Sequence, residues 1–114
     1  MHIKNWSVYY PDRRIARLAP AYDFVSTIAY LPDTEAALTA GRTRRFDQFD
    51  EDELVYLADR VGLARALVLD TARETVELFH QHWPEEKNNL PLYPDAVSKI
   101  DKHLKAVPLA GVSR

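Results

Sequence analysis

A mainly α-helical fold with a β-hairpin at its N-terminal end is what this sequence predicts, and three observations carry that expectation. An aromatic and β-branched run at Trp6–Tyr10 and a shorter one at Arg14–Leu18 flank the turn signal Pro11-Asp12-Arg13. Beyond Asp50 the apolar residues recur at helical spacing, and prolines at 84, 94 and 108 punctuate the pattern. The size and composition, 114 residues with 46% hydrophobic residues and only 3 glycines, suit one globular domain over residues 1–114.

The elements follow in order. Proline presets φ and aspartate caps the turn backbone, so the first two runs are expected to pair as a hairpin, with one strand face in the core. Ala19 to Ala40 has no clear period and contains Pro20 and Pro32, so it is expected to be an ordered loop with at most a short helical turn. A second small hairpin across Gly41-Arg42 is compatible with the sequence. Asp50 and Glu53 have capping-box spacing, and Leu54, Leu57, Ala58 and Val61 form an i, i+3, i+4, i+7 stripe that Gly62 closes. A longer helix is predicted from about Ala64 to Trp83, burying Leu67, Val68, Ala72, Val76, Phe79 and Trp83 and stopped by Pro84. Glu85 to Leu92 is expected to be a loop. Pro94 suits the first turn of a third helix with Val97, Ile100 and Leu104 inward, which Pro108 ends, the last residues fraying. The helical part thus spans 50–107.

Composition excludes several functions. With no cysteine there are no disulfides, thiolate metal sites or cysteine nucleophiles. No stretch is long and apolar enough to cross a membrane and no secretory leader is apparent, so a cytoplasmic location is the default expectation. The net charge of −2 is unevenly spread: residues 1–46 carry +3, residues 47–86 carry −8, and residues 87–114 carry +3. The middle segment repels phosphates while the first attracts them, and no part reads as a direct nucleic-acid-binding surface.

Polar candidates crowd the first 26 residues: His2, Lys4, Asn5, Asp23 and Ser26. Asn5 and Asp23 lie on opposite sides of the hairpin, so folding it would bring an amide oxygen and a carboxylate together. That is a suitable donor pair for Mg²⁺, a hard ion that keeps waters and shares substrate phosphates. Such residues also serve as a strand-edge residue and a loop cap, and spacing alone leaves both readings open. Arg42, Arg44 and Arg45 form a small basic cluster, expected to be solvated surface. His80 and His82 are expected on the helix surface.

Read whole, His2-Ile3-Lys4-Asn5-Trp6-Ser7 followed by Leu18-Ala19-Pro20-Ala21-Tyr22-Asp23-Phe24-Val25-Ser26 resembles the catalytic segment of HipA-type serine/threonine kinases, the toxin kinases of bacterial toxin–antitoxin pairs. Leu57 to Leu63 and Glu74-Thr75-Val76 are similar to that family's C-terminal helices. The resemblance implies part of the C-lobe of a protein-kinase-like fold, with 1–26 the catalytic-loop remnant and hairpin. It implies Mg²⁺ held by Asn5 and Asp23, and ATP approached by Lys4, Asn5 and Asp23. His2 falls at a loop-scaffold position without a chemical step, and Tyr22, Phe24 and Val25 at positions that pack beneath the loop.

Against the family pattern, the catalytic-loop aspartate, five residues before the asparagine, falls one position before Met1. No glycine-rich phosphate loop occurs in the sequence. A C-terminal fragment of an ATP-dependent kinase, inactive alone and binding no cofactor firmly, is therefore expected, from a reading frame cropped or broken upstream. Apolar faces around Trp6, Tyr10, Phe24 and Tyr30 are expected to be uncovered or paired between copies, giving a homodimer or higher assembly. The competing expectation is an interaction module that binds an antitoxin-like protein or a separately encoded N-terminal lobe.

Overall fold

The computed structural model describes residues 5–23 and 25–111. Two short antiparallel strands, β1 (Val8–Tyr9) and β2 (Arg17–Leu18), pair Val8 with Leu18 and Tyr9 with Arg17. Asp12 builds the turn, its Oδ1 accepting the backbone N–H groups of Arg14 (3.0 Å) and Ile15 (2.8 Å), while Arg13 takes a positive φ of 60°. The strands are shorter than the two sequence runs because the tight turn and the departing chain leave only these residues in ladder register. The second hairpin reduces to one isolated bridge, Glu35 to Arg45, flanked by Ala36 N–H to Arg44 C=O (2.7 Å) and Phe46 N–H to Thr34 C=O (3.1 Å). The intervening stretch contains a 3-10 turn at Thr27–Ala29, and a second 3-10 turn at Phe46–Gln48 leads into the helices.

Helix α1 (Glu51–Val61) starts as the sequence indicates. Asp50 is its N-cap, accepting from the Glu53 N–H at 3.2 Å, three acids fill the first turn where the helix dipole favours them, and Gly62 closes it at φ 71°. Glu53 does not complete a capping box. Its carboxylate turns away, to Arg42 and Thr43. Leu54 and Ala58 are buried, whereas Val61, expected inward, is 54% exposed because the chain turns away from the core at Gly62.

Helix α2 (Arg65–Asn89) runs through Pro84 instead of stopping there. Proline removes one i→i−4 hydrogen bond at a cost of about 3 kcal/mol. Contacts from the surrounding turns offset this: Trp83 Nε1–H donates to Asp101 Oδ1 at 2.7 Å and Lys87 Nζ to Asp101 Oδ2 at 3.1 Å, tying both sides of the proline to the next helix. Replacing Pro84 with alanine restores the missing N–H, so a gain of about 1–3 kcal/mol is expected from urea midpoints. A loss would place the end of the helix before residue 84.

No residue of α2 is buried, and Leu67 and Phe79, expected inward, are exposed at 59% and 40%. Helix α3 (Pro94–Ala106) begins with its proline in the first turn and buries Ala96, with Val97, Ile100 and Leu104 half-buried; a 3-10 turn follows at Pro108–Gly111, and the last residues, 112–114, expected to fray, lie outside the described residues. Leu109 N–H reaches Phe49 C=O at 3.0 Å, and the Glu51–Arg73 ion pair (2.6 Å) joins α1 to α2.

The core is correspondingly thin: Ala29, Leu54, Ala58 and Ala96, with Glu53, are the buried residues among those described. The accessible surface is 8828 Å², against about 6,400 Å² for a compact monomer of 13.1 kDa. The radius of gyration is 15.9 Å, against about 13.3 Å for a compact chain of this length. Neither face of the hairpin is covered, contrary to the expectation that one would be core: Trp6, Val8, Tyr9, Tyr10 and Leu18 are all exposed.

His103 on α3 meets the edge of Phe46 (ring centroids 4.7 Å), and burial holds its pKa below the ordinary histidine value. A histidine whose folded pKa is lowered contributes stability above its unfolded pKa of about 6.5 and loses it as pH falls toward the folded value. Stability is therefore expected to decline as pH drops below about 6.5, and His103→Gln to flatten that part of a urea-midpoint-versus-pH curve. An unchanged slope in the variant would contradict the burial of a neutral ring.

Candidate functional site

The hairpin register creates the site. Asn5 precedes β1 and Asp23 follows β2, and the ladder continues below the paired residues with Ala19 N–H donating to Ser7 C=O at 2.8 Å. The two chain ends therefore leave the hairpin side by side, and the Asn5 side-chain amide donates from Nδ2 to Asp23 Oδ2 at 2.8 Å. Residues eighteen apart in sequence thus meet through side chains. Asp23 adopts φ 57°, a left-handed conformation that aspartate tolerates better than most residues but that still stores strain. That backbone turn swings the carboxylate toward Asn5.

The donor chemistry fits Mg²⁺. The Asn5 amide nitrogen is engaged with one carboxylate oxygen, which orients the amide oxygen and the second carboxylate oxygen as the hard donors of the pair. No group of three His, Cys, Asp or Glu side chains suited to a metal occurs among the described residues, and the pair itself contributes two side-chain oxygens. Magnesium is commonly held by few protein ligands, with waters and phosphate oxygens completing its octahedron. Beside the pair lies an apolar notch of about 60 Å³ lined by Asn5, Trp6, Ser7, Leu18, Ala19, Pro20 and Ala21. Ligand pockets usually measure about 300–1,000 Å³, so a nucleotide base would need further walls.

His2, Lys4 and Phe24 lie outside the described residues. Ser26 is the residue before the first 3-10 turn and makes no side-chain cap there. Tyr22 and Val25, expected beneath the loop, are exposed at 43% and 60%, because no described element packs on that side of the hairpin.

The arginine cluster is not simply solvated. Arg42 pairs with Glu53 (2.7 Å), Arg45 with Asp47 (2.6 Å) and Arg44 with Glu35 (3.8 Å). Glu53 is the unforeseen anchor: its carboxylate accepts from the backbone N–H of Arg42, the Arg42 Nε (2.9 Å) and the Thr43 N–H (3.3 Å). The Arg42 backbone N–H, outweighing burial and joined by the guanidinium, holds the Glu53 pKa below the usual carboxylate value. Its only sequence signal is its place three residues after Asp50, which suits half of a capping box. His80 and His82 are exposed, and His80 Nε2 donates to Ala110 C=O at 2.6 Å.

With this geometry in place, comparison with known proteins gives three findings. The profile of the HipA-like C-terminal domain matches residues 1–83. A Sinorhizobium fredii protein named "Putative kinase Y4dM" is 48% identical over 110 residues, covering 96% of this chain and 27% of that protein. A Haemophilus influenzae protein named "Putative kinase" is 27% identical over 84 residues, covering 60% of this chain and 24% of that protein. The chain therefore spans about a quarter of the length of these curated relatives. No solved structure matches it.

Proposed function

The chain belongs to the HipA-like C-terminal domain family, and from that premise we propose that its 114 residues carry the metal-holding part of a HipA-like serine/threonine kinase of the toxin–antitoxin type. The observation that carries this reading is the Asn5–Asp23 contact at 2.8 Å across the hairpin. Asn5 and Asp23 hold Mg²⁺, and Lys4 lies in sequence where a lysine would neutralise phosphate as a point charge. When bound, Mg²⁺ supplies charge neutralisation on the transferring phosphoryl oxygens.

By themselves these residues transfer no phosphate and hold Mg-ATP weakly. The family's catalytic-loop aspartate and glycine-rich phosphate loop have no counterpart among the 114 residues. The 60 Å³ notch beside Asn5 encloses no base, and phosphoryl transfer depends on positioning by all parts together. The test incubates the chain with labelled ATP, Mg²⁺ and a general protein substrate, alone and with a polypeptide carrying the remainder of the S. fredii relative. Transfer only in the mixture is expected. Transfer by the chain alone, lost in Asp23→Ala, would overturn the proposed inactivity while supporting the site.

A second reading, an interaction module, is favoured by the bare hairpin, whose aromatic and aliphatic side chains are exposed on both faces. Its occupant would be a second copy, an antitoxin-like protein or a separate N-terminal lobe. Co-purification with genomic neighbours separates this reading from the first: a stable complex without kinase activity supports it, and a strictly monomeric, partnerless chain opposes it.

A further inference from the structure

A crevice of about 690 Å³ lies between the C-terminal half of α2, α3 and the final 3-10 turn, and shares no lining residue with the notch at Asn5. Its walls are His80, Trp83 and Lys87 from α2, Asp101, Leu104 and Lys105 from α3, and Ala110 and Gly111. Six of these follow residue 83, where the family profile ends, so the crevice lies mostly beyond the segment that defines the family.

Its polar groups are unequally engaged. Asp101, its one acid among the described residues, is already committed, accepting from Trp83 Nε1–H at 2.7 Å and Lys87 Nζ at 3.1 Å. His80 is committed as well, Nε2 donating to the Ala110 carbonyl at 2.6 Å. Lys105 makes no hydrogen bond or close ion pair among the described residues and touches Asp101 only through its field. Among the described residues the crevice thus has two lysines against a single, satisfied carboxylate. Between the charges the lining is apolar: the Trp83 ring, Leu104 and Ala110.

We propose that this crevice binds an acidic polypeptide segment, its apolar side chain seated on Trp83, Leu104 and Ala110 and its carboxylates facing Lys105 and Lys87. The volume falls within the range of ligand sites. Lysines are point charges without the planar fork of arginine, and no arginine lines the crevice among the described residues, so these groups suit dispersed carboxylates better than one dense phosphate group. Engagement of Lys105 is expected to be salt-sensitive, because it is exposed. This proposal is independent of the kinase reading, because none of its groups belongs to the Asn5–Asp23 pair.

The test follows the Trp83 indole N–H in a proton–nitrogen NMR spectrum, where Trp6 is the only other indole, during titration with the peptide Glu-Glu-Leu-Phe-Glu-Glu. Saturable movement of the Trp83 signal is expected, with affinity falling at least about fivefold in Lys105→Glu. Lys102→Glu, on α3 but outside this crevice, is expected to change affinity less than about twofold, and a peptide with glutamines for glutamates to bind at least about fivefold more weakly. An immobile Trp83 signal at saturating peptide, equal loss in both lysine variants, or equal response to inorganic phosphate would each overturn the proposal.

Discussion

In the mixture of this chain with the remainder of the S. fredii relative, Asp23→Ala is expected to lower phosphoryl transfer by about 10³-fold, the largest effect of any single substitution in the chain. A metal contributes several kcal/mol of transition-state charge stabilisation, and each 1.36 kcal/mol is tenfold in rate. Asp23 supplies the charged oxygen of the pair and also fixes the Asn5 amide at 2.8 Å. Asn5→Ala removes a neutral donor and leaves the carboxylate, so a smaller loss of about 10²-fold is expected. The comparison separates a metal role from a structural one. Asp23→Asn should preserve the hairpin, since asparagine also tolerates positive φ, while remaining as inactive as Asp23→Ala. If Asp23→Asn retained full transfer, the carboxylate would not be holding the metal. Single-turnover transfer from labelled ATP, with circular dichroism as the folding control, measures these rates.

Gly41→Ala is expected to be the most destabilising small change, lowering the thermal midpoint by about 10 °C. A β-carbon at Gly41 would run into the Glu53 carboxylate and lie 3.1 Å from the Glu53 carbonyl oxygen. The carboxylate would have to leave Arg42 and Thr43, the contacts that fasten the 41–45 loop to α1. Glu53 is 6% exposed, so once displaced it would face a site with little water to replace those donors. Gly111→Ala is the control, because a β-carbon there meets nothing within 4 Å, and its midpoint should hold. Equal midpoints for the two variants would show that the loop yields easily and that Glu53 is not its anchor.

Local chemistry made the ends of elements readable. Asp12 in the hairpin turn, Asp50 as a cap, Gly62 at positive φ and Pro94 in a first turn each act through their own or adjacent backbone, so the residue type announces the geometry. The Asn5–Asp23 meeting was legible for the same reason: once the turn is placed, antiparallel pairing brings its flanks together. What depended on distant partners was not legible. Pro84 reads as a stop, yet Asp101, fourteen or more residues away, holds the helix on both sides of it. Glu53 reads as a cap partner, yet the Arg42 loop competes for it and wins with two backbone donors and a guanidinium. The apolar stripe of α2 reads as core, yet Leu67 and Phe79 stay exposed because helical period marks a face without naming what covers it.

The most direct test of the metal-holding role is paramagnetic line broadening by Mn²⁺, which stands in for Mg²⁺ and reports weak binding by the 114-residue chain itself. The two candidate locations are well separated in charge: the Asn5–Asp23 pair, and the acidic stretch 47–86 with its net −8. Selective broadening of the Asn5 side-chain amide and the Trp6 indole at millimolar Mn²⁺ is expected, disappearing in Asp23→Ala. Broadening confined to the residues of 47–86, or unchanged at Asn5 when Asp23 is removed, would contradict the assignment of Asn5 and Asp23 as the metal-holding pair.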